Sequence, residues 1–287
     1  MKKHIWQNEN WLEIPEIDKE DENILNKLDC LDKKISEFKN LDFFYDIKKD
    51  KFVREVFYNW YIEGIELAIS TRDKDKIENI FQGKDNCRIG YIYNFMQSKD
   101  VITPDDLIRL HDRIIKDSGR GLRKEFSGVG LSENKLVYIA PPPEKLPYLL
   151  ERFCEILEKT TISKYYLAAF SHIVFVLIHP FQDGNGRVTR ILESKILNNY
   201  NFTDKSRHIY MSGKYYYKML SSVRDSLKEC IKYILCIYMN AYDNLYKECY
   251  NFDYYLKTHK EKYVLLDDIQ HGINIDFEHE KNYYIVD

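Results

Sequence analysis

The chain has 287 residues, with 43 lysines and arginines against 46 aspartates and glutamates and a net charge of -3. That balance argues against a protein that mainly coats nucleic acid or an anionic membrane. Only 11 glycines and 7 prolines occur, where average usage gives roughly 20 and 14, so a turn-rich all-β fold is excluded and a helical one expected.

At the N-terminus, Met1-Lys2-Lys3-His4-Ile5-Trp6-Gln7-Asn8 has no apolar stretch behind its lysines, so a signal peptide is not expected. Ile24, Leu25, Leu28, Leu31, Ile35 and Phe38 recur at a helical period. Residues 51–71 continue helically through Val53, Val56, Phe57, Trp60, Tyr61 and Ile65, interrupted only by Gly64. Thr103-Pro104-Asp105-Asp106 is a helix start, with a hydroxyl cap, a proline in the first turn and two acids near the positive end of the dipole. Leu107, Leu110, Ile114 and Ile115 line the helix it opens.

Between 119 and 143 the composition changes. Gly119, Gly121, Gly128 and Gly130 crowd together, Lys135-Leu136-Val137-Tyr138-Ile139 reads as a strand, and Pro141-Pro142-Pro143 stops it. An isolated β-hairpin with free edges is expected there. Helices are expected over Pro143–Leu157, Ser163–Ile178, Asn185–Tyr200 and Lys214–Tyr246. The last 40 residues, with Gly272-Ile273-Asn274-Ile275-Asp276-Phe277, fit strand or loop. The longest strictly apolar central run, Ile173 to Ile178, is far short of the ~18 residues of a membrane span. The six cysteines at 30, 87, 154, 230, 236 and 249 form no Cys-x-x-Cys pair and fit no zinc pattern. Buried free thiols in a soluble, cytoplasmic chain are the expectation.

The segment His179-Pro180-Phe181-Gln182-Asp183-Gly184-Asn185-Gly186-Arg187-Val188-Thr189-Arg190 has the parts of a phosphate site. Pro180 and Gly184 break the preceding helix. Gly184, Asn185 and Gly186 can turn successive N–H groups inwards at the start of the next helix, an anion nest. Arg187 and Arg190 share one helical face above it, and two guanidinium forks suit a di- or triphosphate. Asp183 would place a carboxylate beside the phosphates, where it could hold magnesium. His179 is the side chain at the rim able to take a proton near neutral pH.

This segment resembles the signature of the Fic family, His-Pro-Phe-x-Asp/Glu-Gly-Asn-Gly-Arg-x-x-Arg, with every fixed position filled. Most members transfer AMP from ATP to a hydroxyl of a target protein. The resemblance implies an all-α Fic fold with a β-hairpin flap, and His179 as the base that deprotonates the target hydroxyl. It makes Asp183 the Mg²⁺ ligand and sets Asn185 on the α-phosphate. The nest and Arg187 would hold the β-phosphate and Arg190 the γ-phosphate. Gly186 favours AMP transfer, because the branch that acts as a kinase has lysine there. Gly121-Leu122-Arg123 followed by Gly130 resembles the family's flap, whose edge (Ser127, Gly128, Val129, Gly130) would bind the target by strand addition. Tyr216 and Tyr217 sit where the family has a tyrosine pair beside the nucleotide, although composition alone favours helix-face packing for them.

Ile62-Glu63-Gly64-Ile65 resembles the family's inhibitory helix, Ser/Thr-x-x-x-Glu-Gly/Asn. Glu63 against Arg190 would take the cation that the γ-phosphate needs. Asn59 stands at the hydroxyl position, a departure from the pattern. The expected organisation is an N-terminal helical module over 1–50, the inhibitory segment over 51–100, a Fic core over 101–245 and a C-terminal extension over 246–287. The expected partners are a protein presenting a hydroxyl side chain and the chain itself, as a self-modification substrate. A membrane and nucleic acid are not expected partners, and oligomeric state stays open. A different nucleotide donor, the reverse reaction and a non-catalytic nucleotide-sensing role are the alternatives.

Overall fold

From Tyr165 to Ile178 the side chains are almost all apolar, and a helix that is apolar on every side is a buried one. In the computed structural model, which describes residues 6, 11–62, 74–84, 87–98, 101–115, 119–132, 135–197, 205–222 and 226–258, this stretch is the central helix. Eleven α-helices are described. They are α1 (Lys19–Ser36), α2 (Asp42–Tyr61), α3 (Lys74–Phe81), α4 (Arg88–Gln97), α5 (Pro104–Ile114), α6 (Leu146–Lys159), α7 (Lys164–Ile178), α8 (Asn185–Ile196), α9 (Lys205–Ser212), α10 (Lys214–Ser222) and α11 (Leu227–Thr258). Every residue of α7 after Lys164 is buried, and α1, α6, α8 and α11 pack around it. The fold is the expected all-α one.

Between α5 and α6 the expected hairpin is present. Strand β1 (Gly128–Ser132) pairs antiparallel with β2 (Lys135–Ile139), Gly128 opposite Ile139 and Val129 opposite Tyr138, with irregularities beyond Val129. Thr103 caps α5 as read: its hydroxyl accepts from Asp106 N while the Asp106 carboxylate accepts from Thr103 N, a reciprocal cap worth about 1 kcal/mol.

Elsewhere the boundaries move. Helix α2 begins at Asp42, nine residues before the expected start, and the helical reading over 63–71 lies outside the described residues. The helices expected over Lys214–Tyr246 are α10 and α11. The second is opened by Ser226, whose hydroxyl accepts from Glu229 N at 3.1 Å, and it runs on to Thr258. Gly272–Phe277 lies outside the described residues. Of the six cysteines, Cys154, Cys230 and Cys249 are buried as expected, but Cys30 and Cys236 are exposed. Half-buried Cys87 caps α4 through its sulfur. Burial pushes the Cys154 and Cys249 thiols up to about 12, so they stay protonated and inert. No described helix is long and apolar enough to cross a membrane.

A polar network runs through this core. Lys205 on α9, fully buried, pairs with Glu55 on α2 and donates to the Arg190 carbonyl (3.1 Å) and the Ser194 hydroxyl (2.6 Å) of α8. Glu55 also accepts from Ser206 N and Oγ. Glu193, likewise fully buried, accepts from the Tyr238 hydroxyl and faces His172 Nδ1 at 3.1 Å and Lys205 Nζ at 3.7 Å. Burial alone would raise the Glu193 carboxyl, but His172 and Lys205 outweigh it and hold its pKa below the ordinary carboxylate value. Removing one member of such a cluster strands its partners as uncompensated buried charge. Lys205→Met is therefore expected to lower the unfolding free energy by about 3–5 kcal/mol in urea denaturation, and an unchanged midpoint would contradict this role.

Candidate functional site

The loop between α7 and α8 is built from its strained end forward. Helix α7 finishes on His179, which has φ 49 and ψ 58 and is the only non-glycine residue with positive φ among those described. This left-handed backbone is disfavoured for a side-chain-bearing residue and more so before a proline, so the surroundings must hold it. The His179 carbonyl accepts from Arg123 Nε (2.6 Å) and the Pro180 carbonyl from Arg123 N (2.9 Å). His179 Nδ1 lies 3.2 Å from the Val176 carbonyl. A carbonyl can only accept, so this bond assigns the proton to Nδ1 and the lone pair to Nε2.

Phe181 is fully buried and stacks on His111 of α5, with ring centroids 3.9 Å apart. The Asn185 side chain closes the loop, accepting from Phe181 N (2.9 Å) and donating to Phe181 O (2.8 Å). His111 Nε2–H donates to the Asp183 carbonyl (3.0 Å), and its Nδ1 lies 3.0 Å from Asp112 Oδ1. Asp112 Oδ1 in turn accepts from Gly121 N (2.9 Å) at the hairpin root. Gly184 has φ 80, and a Cβ there would lie 2.5 Å from Ile115 Cγ1 and 2.7 Å from Cδ1, so its glycine is required both by conformation and by space.

The acidic and basic groups meet at the start of α8. Asp183, 63 % exposed at its side chain, accepts from Arg187 Nη2 at 2.8 Å. Arg187 is otherwise buried, and its Nε has no hydrogen-bond partner among the described residues. Arg190 is buried too: its Nε donates to Asn59 Oδ1 (2.6 Å) and its Nη2 to Asn59 O (2.8 Å). The Asn59 amide then donates to the Arg187 carbonyl (3.1 Å). The residue at the departed hydroxyl position thus binds the last arginine of the signature directly, clamping α2 to α8. No group of three or more His, Cys, Asp or Glu side chains able to hold a metal occurs among the described residues. The Asp183 carboxylate is exposed and, besides Arg187, accepts from Gly184 N at 2.6 Å.

A profile described as the Fic/DOC family matches residues 101–197, the interval that contains α5, the hairpin and the whole signature loop. That interval is a Fic/DOC domain. The chain is 25 % identical over 204 residues to the protein adenylyltransferase Fic of Drosophila erecta, covering 65 % of this chain and 40 % of that protein. It is 24 % identical over 204 residues to the Drosophila melanogaster protein of the same name, with the same coverage. This chain therefore spans about 40 % of the length of these relatives. Among solved structures, a Fic family protein from Desulfovibrio desulfuricans superposes with a TM-score of 0.62 at 20 % identity, covering 84 % of this chain and 77 % of that one. A Fic-domain signaling protein from Bacteroides thetaiotaomicron gives 0.57 at 16 % identity, covering 78 % and 97 %. These likenesses establish the fold.

Within the Fic domain, His179, Asp183, Gly184, Asn185, Gly186, Arg187 and Arg190 all fall on one loop and the first turns of α8. Tyr216 is placed differently. It is buried on α10 and its hydroxyl bonds His172 Nε2 at 2.8 Å, because a buried phenol needs a partner. That contact lies in the core beside Glu193. The Tyr217 side chain and all of Glu63 lie outside the described residues. Ser127 and Gly128 begin the hairpin, where Ala140 N donates to Ser127 O, and Val129 and Gly130 continue β1. His111, Asp112 and Arg123 support the loop without having been singled out as site residues. His111 could have been found, because it sits on the apolar face of α5 between Leu107, Leu110 and Ile114. Gly184→Ala is expected to cost roughly 2 kcal/mol or more, from left-handed strain plus overpacking against Ile115. Denaturant titration checks it, and a wild-type midpoint would contradict the fit.

Proposed function

We propose that this chain is a protein adenylyltransferase that moves AMP from ATP to a Tyr, Ser or Thr hydroxyl of a target protein or of itself. The observation that carries the reading is the buried Arg187 Nε without a partner among the described residues. It sits at the N-terminus of α8, on the same short segment as a histidine whose lone pair is on Nε2. A buried guanidinium N–H lacking an acceptor suits an anion, and the helix start adds N–H groups and a positive dipole end. The names of the Drosophila relatives point to the same reaction class.

In this scheme His179 Nε2 takes the proton of the attacking hydroxyl. The hydroxyl oxygen bonds to the α-phosphorus in line with the bridging oxygen, that bond breaks, and pyrophosphate leaves. The backbone of Gly184, Asn185 and Gly186 and the guanidinium of Arg187 would hold the β-phosphate and Arg190 the γ-phosphate. One Nδ2 hydrogen of Asn185 is on Phe181 O, and an amide nitrogen carries a second donor that can meet the α-phosphate. Mg²⁺, held by Asp183 and the donor's phosphates, would neutralise their charge. The Ser127–Gly130 edge would align the target's main chain.

Regulation follows from Arg190. Asn59 already takes its Nε and one Nη2 hydrogen, and Glu63 is four residues further along the sequence. A carboxylate delivered there would compete with the γ-phosphate for the rest of the guanidinium.

His179→Ala is expected to abolish protein labelling by ATP labelled at the α-phosphate, a general base contributing about 10²–10⁴ in rate. Retained labelling would overturn the assignment, and labelling from the γ-phosphate alone would replace it with phosphoryl transfer. Glu63→Gly is expected to raise self-labelling above wild type, and an unchanged rate would remove the autoinhibition.

A further inference from the structure

We infer that Arg123 is a positioning residue for the reaction, a single buried cation that fixes both His179 and the root of the flap. The inference rests on the reading of His179 as the base. Arg123 is 4 % exposed, and among the described residues its hydrogen bonds go to carbonyls and to no carboxylate. Its Nε donates to His179 O (2.6 Å), Nη1 to Glu125 O (2.8 Å) and Nη2 to Pro141 O (2.5 Å), while its backbone N–H donates to Pro180 O (2.9 Å). Burial pulls its pKa below the ordinary arginine value, yet a guanidinium keeps its charge at any working pH.

Burying a cation with no carboxylate bonded to it among the described residues is costly, so a residue that served only to fill space would be apolar here. The four acceptors instead have a common meaning. Glu125 and Pro141 flank the two strands of the hairpin, one before β1 and one after β2, so the guanidinium sets the separation of the flap's two feet. His179 O and Pro180 O are successive carbonyls at the end of α7, where carbonyls lack helical partners and the dipole favours a cation. By holding both, Arg123 locks the peptide on the C-terminal side of the one left-handed non-glycine residue described. The direction in which the His179 ring leaves the chain depends on that backbone conformation. A lysine cannot reproduce the arrangement, because its ammonium is a point donor and lacks the planar fork that reaches three separated carbonyls.

Base and flap are thereby aligned by one group, whereas the nucleotide's phosphates meet α8 through other residues. Arg123→Ala and Arg123→Lys should therefore lower kcat for protein labelling by about 10²-fold, the effect of a misplacement near 1 Å. The Kd for ATP, measured by calorimetry, should stay close to wild type. Added guanidinium should restore part of the rate to Arg123→Ala, whose side-chain space is open, and not to Arg123→Lys. If the alanine variant does not fold, the lysine variant carries the kcat and Kd comparison. A folded variant with wild-type kcat would overturn the proposal. So would a parallel loss of kcat and ATP affinity, which would make Arg123 a support of the whole loop. Should both the wild type and Glu63→Gly label nothing, the function reading fails and the Arg123 inference is judged on the His179 ring resonances, assigned by comparison with His179→Ala. They are expected to shift in the Arg123 variants, and unshifted resonances would overturn it.

Discussion

A loop can give its N–H groups to a phosphate only if its carbonyls are satisfied from elsewhere, since each unpaired buried carbonyl is a cost comparable to a lost hydrogen bond. In this chain the carbonyls of residues 179, 180, 181 and 183 are taken by Arg123, Arg123 again, Asn185 and His111. Three of these four bonds come from outside the signature. Helix α5 supplies His111, and the hairpin root supplies Arg123. The glycine at 184 lets the chain turn against Ile115 so that α8 can begin on Asn185. The shape of this loop is thus a property of three elements held together, and the twelve residues of the signature are the visible part of it.

The same logic joins α2 to α8. Asn59 bridges the Arg190 side chain to the Arg187 carbonyl, and one turn earlier Glu55 binds Lys205, which holds the Arg190 carbonyl from the far side. Arg190 is therefore fixed at its backbone by one network and at its guanidinium by the other. The two-sided amide of Asn59 allows it to accept from Arg190 and donate to the Arg187 carbonyl at once.

Local signals were legible in the sequence where the chemistry is local. Thr103-Pro104-Asp105-Asp106 forms the cap it spells out, the glycine and proline clusters bracket the hairpin, and the signature segment folds into one loop. The apolar run before His179 marks the central helix. What the sequence hides is contact between distant positions. Nothing in the text of the chain links Arg123 to His179 or Asn59 to Arg190, 56 and 131 residues apart. Tyr216 is buried as helix-face packing requires, but no local pattern names the partner of its hydroxyl, His172. Helices α3, α4 and α9, of 8, 10 and 8 residues, are too short to express a clear period. The division of the last long helical stretch at Ser226 turns on one capping hydroxyl.

That a nucleotide's phosphates are received by N–H groups at the start of α8 is tested most directly by titrating isotope-labelled protein with ATP and following its amide resonances. The amides of Gly184, Asn185 and Gly186 and the Arg187 side-chain Nε–H should shift together, saturably, and ahead of those elsewhere in the fold. Saturable binding that leaves these four signals unmoved, and shifts another surface instead, would contradict the assignment of the site.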